Sequence, residues 1–395
     1  MTWSQVRLGD IGLSLIGLTY SPSDVKRTGT LVLRSSNIQD GRLAFDDNVY
    51  VSSSIPSRIR VRENDILICV RNGSRRLIGK SVLLDRRVHG QTFGAFMAVY
   101  RSGSNPFLQY FFQSDAFRRQ IDEHLGATIN QITNGSLNSF VVALPSASEQ
   151  HKIASRLTDI DANIDVFERL VAKQQAIRQG MMQELLAGRT RLPGCTEAWR
   201  LRMLGDLVEQ HRAAVDPHRY PTTLFQHFSL PAFDDGTNPV IEVGASIDSQ
   251  KLRVPVGAVL VSKLNPRIPR IWVTTGVRDN AIASTEFIVL TARDGVDRSY
   301  LGWLMRSTPI AGRMKLLAVG TTGSHARIHP RQVLALDCSV PNLVEQKAIA
   351  SVLDDASAEI DVLYARLEKA KAIKHGMVQQ LLTGRTRLPE NEAAA

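Results

Sequence analysis

Hydrogen-bonding side chains recur in short loops at matching places in the two halves of this 395-residue chain. In the first half they fill residues 71–76 (RNGSRR) and 126–136, and in the second half residues 262–267 (SKLNPR) and 320–327. Arginine favours O6 and N7 of guanine, asparagine and glutamine favour N6 and N7 of adenine, and lysine and serine suit phosphates. The chemistry that these loops could perform is recognition of nucleic acid.

A solvated turn is the ordinary explanation of any one such loop. Recurrence at matching positions with different residue types puts the binding interpretation on an equal footing with it. An earlier loop, residues 34–37, has a rough counterpart at residues 226–229. The residues predicted to contact DNA in the first half are Arg34, Asn37, Arg71, Asn72, Arg75, Asn130, Gln131 and Asn134. Those predicted in the second half are Lys263, Asn265, Arg267, Thr321, Ser324, His325 and Arg327.

The sequence has no recognisable catalytic or metal-binding motif. Residues 79–81 (GKS) resemble the end of a phosphate loop, but that motif requires glycine where Ser74 stands. The GxSxG and HExxH patterns are absent, and the nine histidines are scattered without ligand spacing. Three distant cysteines without a CxxC pair predict a reducing compartment and no disulfide or zinc site. We expect a chain that is not an enzyme and that binds no metal or cofactor of its own.

Charge and hydropathy indicate the kind of partner and the location. A net charge of +10 suits a polyanionic partner, although a merely basic soluble protein is the alternative. No uninterrupted apolar run approaches the roughly 18 residues of a membrane span, and no signal peptide is visible at the N-terminus. These features predict a cytoplasmic protein that binds nucleic acid.

The loops are carried by a duplicated frame. Residues 145–193 align without a gap onto residues 341–389, with roughly half of the positions identical, and GRTRLP ends both copies. The same alignment places Trp3 on Trp199, whereas the inserts 11–143 and 207–339 hardly resemble each other. A repeat this long is not a solenoid unit, which has about 20–50 residues. A shared frame with two different inserts predicts one kind of task performed on two targets.

Each copy of the repeat is predicted to be one long helix. Apolar residues alternate at spacings of three and four, a heptad seam, over about 40 residues or roughly 60 Å. The capping pairs Ser146–Glu149 and Asn342–Glu345 begin the helices, each glutamate reaching back to the capping residue, and Gly188 and Gly384 end them. The predicted seam is Ile153, Leu157, Ile160, Ile164, Phe167 and Val171 in the first copy and Ile349, Leu353, Ala356, Ile360, Leu363, Leu367 and Ala370 in the second. The seam then continues through Ile177, Met181 and Leu185, and through Ile373, Met377 and Leu381.

Glycine recurs inside both predicted helices, at Gly180 and Gly376. A glycine in a helix interior costs about 1 kcal/mol relative to alanine, so each needs a reason. Close approach of the two long helices is favoured over a hinge. A pseudo-twofold relation between the two halves would make the two helices pack antiparallel along their seams.

The inserts are predicted to be mixed α/β domains. Strands are expected at residues 65–70, 95–100, 257–261, 270–274 and 286–290, and single helices at residues 107–124 and 299–317. The predicted fold class is α+β: two α/β recognition domains joined by two long antiparallel coiled-coil helices in a pseudo-twofold, near-circular arrangement. The predicted domains are residues 1–143, the helix 144–193, residues 194–339, the helix 340–389 and a tail at 390–395.

The frame resembles the specificity subunits of type I restriction-modification systems. Each long helix opens with Pro-x-x-x-Glu-Gln-x-x-Ile, at Pro145 and at Pro341, and each closes with Leu-Leu-x-Gly-Arg-Thr-Arg-Leu. A Leu-Gly-Asp segment precedes each insert. The resemblance covers nearly the whole chain and depends on this paired architecture rather than on any single motif.

The resemblance implies a non-catalytic DNA reader. Each recognition domain would contact one half of a bipartite double-stranded target, and the helices would set the spacing and dock two methyltransferase (M) subunits. Restriction (R) subunits that translocate and cleave would join them, and S-adenosylmethionine, ATP and Mg²⁺ would belong to these partners. The residues predicted to contact the methyltransferase subunits are Gln183, Arg189, Gln379 and Arg385. The alternative is a dumbbell-shaped protein-interaction scaffold, which would lack salt-sensitive DNA affinity.

Overall fold

The computed structural model describes residues 3–125, 130–318 and 326–388. The chain forms two compact units: Met1–Glu168 with Arg366–Ala395, and Arg169–Ala365. Each unit contains one insert and a portion of both long helices. The predicted α+β class with two long helices is confirmed, whereas the five domain boundaries and the near-circular arrangement stay predictions.

The first unit is built on two four-stranded sheets. One is antiparallel, in the order Leu13–Ile16, Met97–Arg101, Ile66–Cys69 and Ser81–Leu83. The other has the order Thr92–Phe93, Thr30–Leu33, Tyr50–Val51 and Val25–Lys26, and only its first pair is parallel. Two antiparallel pairs complete the unit, Ser4–Arg7 with Val141–Leu144 and Ile38–Gln39 with Arg42–Leu43.

Helices cover the first sheet and bury a core of aromatic side chains. The helix predicted at residues 107–124 is two helices, because Ser114 caps a new helix by accepting a hydrogen bond from the amide of Phe117 (3.3 Å). The rings of Phe112 and Phe117 meet edge to face at 4.9 Å beneath that junction. The helices of this insert are Leu8–Ile11, Asn105–Phe112, Asp115–His124 and Asn134–Ser139.

The second unit repeats the plan with a larger second sheet. Its four-stranded antiparallel sheet has the order Val208–His211, Phe287–Ala292, Val259–Ser262 and Ile271–Val273. The five-stranded sheet has the order Ala214–Val215, Lys251–Arg253, Ala281–Ser284, Leu224–Phe228 and Val240–Val243. A further antiparallel pair joins Arg200–Met203 to Asp337–Val340.

The helices of the second insert are Leu204–Leu207, Leu230–Asp234, Arg298–Arg306, Thr308–Leu316 and Pro330–Leu334. The single helix predicted at residues 299–317 is therefore wrong, as in the first insert. Ser307 is extended (φ −60°, ψ 145°), and Pro309 occupies the first turn of the next helix, where its missing amide costs nothing.

The two long helices have the predicted length and ends. They are Ala147–Leu185 and Leu343–Leu381, 39 residues each, and a glycine in the left-handed region follows each of them (Gly188, φ 66°; Gly384, φ 67°). Their buried positions recur in register. They are Ile153, Ala154, Leu157, Ile164, Val171, Met182 and Leu185 on the first helix and Ile349, Ala350, Leu353, Ile360, Leu367, Val378 and Leu381 on the second.

The predicted later part of the seam is wrong at two matching positions. Ile177 is 43% exposed and Ile373 is 47% exposed, because the buried positions pass directly from Val171 to Met182 and from Leu367 to Val378. Polar contacts between the helices fill that interval, so the apolar seam is interrupted there.

Those polar contacts show antiparallel helix packing inside each unit. In the first unit, Nζ of Lys374 lies 2.6 Å from the carboxylate of Asp161, and Nζ of Lys371 lies 3.6 Å from Glu168. In the second unit, Gln175 donates to the hydroxyl of Tyr364 (2.7 Å) and Arg178 donates to the hydroxyl of Ser357 (3.1 Å). Residue numbers rise on one helix as they fall on the other, as predicted.

The expected capping boxes at the helix starts are only half formed. The capping residues Ser146 and Asn342 do accept the amides of Glu149 and Glu345, but those glutamates do not reach back. Their carboxylates instead accept indole N–H groups.

Close helix packing does not explain the two mid-helix glycines. A Cβ added at Gly180 or at Gly376 would have no atom within 4 Å. Among the residues that the structure describes, no helix combines the length and the apolar character needed to cross a membrane.

Candidate nucleic-acid interface

Two of the predicted loops in the first unit are joined by backbone hydrogen bonds. Arg71 and Gln131 form an isolated antiparallel bridge, and the amide of Ile132 donates to the carbonyl of Val70 (2.8 Å). The amides of Val70 and Arg71 both donate to the carbonyl of Phe96 (3.1 Å each). The sequence predicted the loops but not their junction. The surface that results, called the first platform, consists of residues 70–76, 96 and 130–132.

The second unit repeats this backbone arrangement with other side chains. Leu264 and Arg327 form the isolated bridge, and the amide of Ile328 donates to the carbonyl of Lys263 (3.0 Å). The amide of Lys263 in turn donates to the carbonyl of Glu286 (2.8 Å). The second platform consists of residues 263–267, 286 and 326–328.

The first platform exposes a stacked cation. The guanidinium carbon of Arg71 lies 5.0 Å from the centre of the Phe96 ring, a cation–π geometry, and Phe96 is 56% exposed. The guanidinium of Arg71 makes no hydrogen bond or ion pair with any residue in the described part of the chain. Its N–H groups are therefore available to a ligand.

The second platform holds its arginine by charge. Nε of Arg327 lies 3.2 Å and Nη2 3.1 Å from the carboxylate of Glu286, and the side chain of Arg327 is 53% exposed. Hydrogen bonding to Glu286 raises the pKa of Arg327, so the guanidinium is charged throughout the physiological range. The Nη1 side of the guanidinium faces away from this contact.

Other predicted residues of the first platform serve its own structure. Asn72 accepts the amide of Ser74 (3.0 Å), an Asx turn that shapes the loop. Arg75 donates to the carbonyls of Asp122 and Leu125 (3.4 Å each). The side chains of Asn72 and Arg75 therefore stabilise the loop, although both remain partly accessible to solvent.

Asn130 and Asn134 also make contacts inside the first unit. Asn130 is exposed and its amide donates weakly to the carbonyl of Gly73 (3.5 Å), between the two loops. Asn134 is half-buried and donates to the carbonyl of Ser14 (3.1 Å). The first therefore lies on the platform, and the second anchors the segment behind it.

The loop at residues 34–37 touches the first platform through Asn72, which donates to the hydroxyl of Ser35 (3.4 Å), but its two predicted residues face elsewhere. Asn37 is 0% exposed; it accepts the amide of Arg34 and donates to the carbonyl of Ala44. The side chain of Arg34 pairs with Asp47 at 2.8 Å. Asn37 acts within the fold, and its burial leaves no edge for a base.

The residues predicted on the second platform differ in how exposed their side chains are. Arg267 is exposed, and its side chain contacts no described residue through a hydrogen bond or ion pair. Asn265 adopts the left-handed region (φ 47°), and its side-chain oxygen is buried without a partner in the described part of the chain. Lys263 is half-buried at the end of its strand. Thr321, Ser324 and His325 lie outside the described residues.

Sequence reasoning missed Phe96 and Glu286. Both were assigned to strands, whereas each stands just before one, at Met97–Arg101 and at Phe287–Ala292. Both residues come directly before an apolar run, and this shared position was the signal in the sequence that could have identified them. The described residues contain no group of three or more side chains suited to hold a metal ion.

The predicted partner-binding residues are exposed on or beside the long helices. Arg189 pairs with Glu184 at 2.9 Å, whereas Arg385 has no hydrogen bond or ion pair among the described residues. Gln379 donates to the carboxylate of Asp115 (3.1 Å), so it also contacts the recognition insert of its own unit. Gln183 occupies the matching position on the other helix.

Comparison with known proteins identifies the class. Residues 1–173 match the family described as the type I restriction modification DNA specificity domain. The chain is 28% identical over 211 residues to the type I restriction enzyme EcoKI specificity subunit of Escherichia coli (strain K12), covering 50% of this chain and 44% of that one. It is 26% identical over 194 residues to the StySPI specificity subunit of Salmonella potsdam, covering 47% and 42%. The aligned chain thus spans less than half the length of these relatives.

Solved structures support the same fold over nearly the whole chain. One, described as the structural basis underlying complex assembly and conformational transition of the type I R-M system, aligns with a TM-score of 0.59 at 19% identity over 98% of each chain. The type I restriction-modification S subunit from M. genitalium aligns with a TM-score of 0.57 at 13% identity, covering 97% of this chain and 96% of that one.

The family match thus covers residues 1–173, and the relatives that the chain resembles are type I restriction enzyme specificity subunits. The resemblance predicted from its sequence is thereby confirmed. The members that it matches are named as specificity subunits, and their shared domain recognises DNA rather than catalysing a reaction.

Proposed function

We propose that this chain is the sequence-specific DNA-binding subunit of a type I restriction-modification complex. Each platform reads one half of a bipartite double-stranded target through the major groove. The observation that carries this proposal is the pair of platforms. The same backbone hydrogen bonds and isolated bridge occur in both, but the side chains that they present differ between the two units. A conserved frame with changed side chains is what two half-sites of different sequence require.

The charges on the platforms favour DNA over a protein partner. Arg71 and Arg267 are exposed and have no carboxylate partner among the described residues, in a chain with a net charge of +10. Neutralising phosphates releases counterions, so DNA affinity should fall steeply with salt. A protein-interaction scaffold with no DNA specificity would not show this dependence of DNA affinity on salt.

A matched face on each long helix is proposed to dock one methyltransferase subunit. Positions three, four, seven and ten residues apart lie on one side of a helix. The first docking face is Lys173, Ala176, Ile177, Gly180 and Gln183; the second docking face is Lys369, Ala372, Ile373, Gly376 and Gln379. The residue types are identical in the two faces, and all are exposed except the half-buried Gly376. Two identical faces suit two copies of one partner.

The centre of each docking face is apolar and open. Ile177 and Ile373 are 43% and 47% exposed, and the glycine three residues further on has open space where a Cβ would stand. A small residue beside an exposed isoleucine lets a partner backbone approach closely. Restriction subunits would join these methyltransferase subunits, and S-adenosylmethionine, ATP and Mg²⁺ would belong to the partner subunits. The lengths of the helices would set the spacing between the half-sites.

Selection from a randomised DNA library tests the proposal. The purified full chain is incubated with the library at several salt concentrations, and the retained DNA is sequenced. We expect one bipartite motif, with affinity that falls as salt rises. In the same preparation, methyl transfer from S-adenosylmethionine should require added methyltransferase subunits. Retention of DNA without any motif, or no retention at low salt, would favour the scaffold alternative.

A further inference from the structure

We propose that Phe96 and Glu286 are positioning residues, each of which orients one guanine-reading arginine. Phe96 orients Arg71 on the first platform, and Glu286 orients Arg327 on the second. The inference rests on the proposed function, since it names the base that each platform reads. It concerns two residues that the loop patterns in the sequence did not single out.

A free arginine on a surface loop reads a base poorly because its side chain has many rotamers. Guanine presents O6 and N7 side by side, and an arginine must hold two N–H groups in one plane to reach both. Fixing the guanidinium plane before DNA arrives removes part of the entropy that binding would otherwise cost. A residue that fixes this plane therefore contributes to base selection without touching the base.

Phe96 can fix the plane of Arg71 without consuming its hydrogen bonds. The guanidinium carbon lies over the ring, 5.0 Å from its centre, and this cation–π contact uses no hydrogen-bond acceptor of the protein. The carbonyl of Phe96 accepts the amide of Arg71 (3.1 Å), so the backbones of the two residues are also tied together. All of the N–H groups at the edge of the guanidinium remain for a base.

Glu286 fixes the plane of Arg327 by occupying one edge of it. Nε and Nη2 lie 3.2 and 3.1 Å from the carboxylate. The guanidinium presents five N–H donors in a planar fork, so the Nη1 side and the outer Nη2 proton remain free. Those two donors are the pair that reaches O6 and N7 end-on.

The two arginines lie on opposite sides of equivalent bridges. Arg71 belongs to the loop that follows the strand, and its bridge partner is Gln131. Arg327 belongs to the other segment, and its bridge partner is Leu264. In both platforms, however, the supporting residue is the one whose carbonyl ties the loop to the sheet, Phe96 or Glu286. Phe96 and Glu286 thus occupy equivalent positions in the two units, and each supports an arginine from a different segment of the bridge.

The alternative is that both arginines contact phosphates, which carry no sequence information. The two roles differ in a measurable way. Loss of a phosphate contact weakens binding to all sequences equally, whereas loss of a guanine contact relaxes the preference at one base pair.

The test is library selection with the full chain and its variants. Phe96→Ala should lower the preference for guanine at one position of the first half-site by about tenfold and leave the second half-site unchanged. Phe96→Tyr, which keeps the ring, should retain the preference. Glu286→Gln should do the same to one guanine of the second half-site, and Arg71→Lys, which keeps the charge but lacks the fork, should match Phe96→Ala.

The outcomes separate the two levels of inference. Phe96 is 56% exposed, so its replacement should leave the melting temperature close to that of the parent chain. A motif that is unchanged in Phe96→Ala and Glu286→Gln, or an equal loss of affinity for every sequence, would overturn the positioning role while leaving the DNA reader intact. A parent chain that selects no motif would overturn both.

Discussion

Arg191 and Glu345 form a bidentate ion pair that joins the end of one copy of the repeat to the start of the other. Nε of Arg191 lies 2.6 Å from Oε1 and Nη2 lies 2.7 Å from Oε2 of the glutamate, which is 1% exposed. The indole of Trp199 donates to the same carboxylate at 3.2 Å, and the guanidinium lies 5.7 Å from its ring centre. The hydrogen bonds to Glu345 raise the pKa of Arg191, which keeps it charged.

The first unit contains matching tryptophan contacts, between the start of the first copy of the repeat and the end of the second copy. Trp3 donates its indole N–H to Glu149 at 3.1 Å, and Arg387 lies 6.0 Å from the centre of its ring. A Cβ added at Gly384 would lie 3.4 Å from the same ring, so only a glycine fits there without contact. The identical GRTRLP segments therefore have an internal structural role. Identity between the copies does not by itself mark a surface for partners.

Arg191→Ala is expected to destabilise the protein far more than Arg189→Ala. The first change leaves a buried carboxylate without its cation, whereas Arg189 pairs only with the exposed Glu184. Thermal unfolding followed by circular dichroism gives the comparison, with two residues of one segment as matched variants. Equal melting temperatures for the two variants would mean that the ion pair contributes nothing to the fold.

Trp303→Phe is expected to lower stability by about 1 kcal/mol, the size of one lost hydrogen bond. The indole donates to Asp354 on the second long helix at 2.8 Å, and a phenylalanine ring would keep the stacking with Arg306 at 5.2 Å. Denaturant unfolding of the full chain measures the change. Asp354 also accepts a hydrogen bond from the hydroxyl of Ser299, which Trp303→Phe leaves in place. Asp354→Asn should therefore cost less stability in the Trp303→Phe background than in the parent chain, and equal losses in the two backgrounds would contradict the pairing with the indole.

Changing the docking faces should separate partner binding from folding. Ile177→Asp with Ile373→Asp should abolish co-purification of methyltransferase subunits without unfolding the chain, because both side chains are exposed. Ala172→Asp is the matched control, since that exposed position is already glutamate in the second helix (Glu368). Unchanged stoichiometry in the double variant would move the docking surface elsewhere.

Gly180→Ala should act in opposite directions on stability and docking. Alanine raises helix stability by about 1 kcal/mol where nothing crowds its Cβ, and the surroundings of Gly180 are open. The added methyl group should nevertheless weaken capture of the methyltransferase subunit. Measuring unfolding and capture on one preparation tests both. If stability rises and capture of the methyltransferase subunit is undiminished, Gly180 does not belong to the docking face.

Exchange of one insert tests whether the platforms act independently. Replacing residues 207–339 with the insert of a relative of different specificity should change one half of the methylated motif and leave the other half intact. The frame residues Trp199 and Glu345 lie outside the exchanged segment and keep their contacts. Methylome sequencing reads both halves at once, and simultaneous change of both would show that the platforms are coupled.

Lengthening a helix tests the proposed control of spacing. A four-residue helical insertion after Val171 adds about 6 Å, and one base-pair step advances about 3.4 Å. We expect the gap between the half-sites to grow by about one or two base pairs while both half-site sequences persist, because the added turn also rotates one end. An active variant with the original gap would show that the helices do not set the distance.

The sequence was most informative where periodicity repeats over many residues. Both long helices were predicted to their ends because apolar spacing, a cap at Ser146 and a closing Gly188 agree. The breaks at Ser114 and Ser307 were missed, although a serine cap and a following proline were visible signals.

The sequence identified the loops of the candidate site but not how they come together into one surface. The burial of Asn37 depends on acceptors in a neighbouring turn, and the bridge between Arg71 and Gln131 joins segments that are distant in sequence. Periodicity carries no information about such pairings. The contact of Phe96 with Arg71 was not predictable either, because only the folded chain places the ring beneath that arginine.

The ion pair of Arg191 with Glu345 also constrains how this gene can change. The first copy of the repeat supplies the arginine and the second copy supplies the carboxylate, so Glu345 depends on a cation from the other copy. A substitution in one copy of GRTRLP must therefore suit a carboxylate encoded in the other copy. The ion pair therefore restricts substitution in both copies at once, while the inserts lie outside it and can change without touching it.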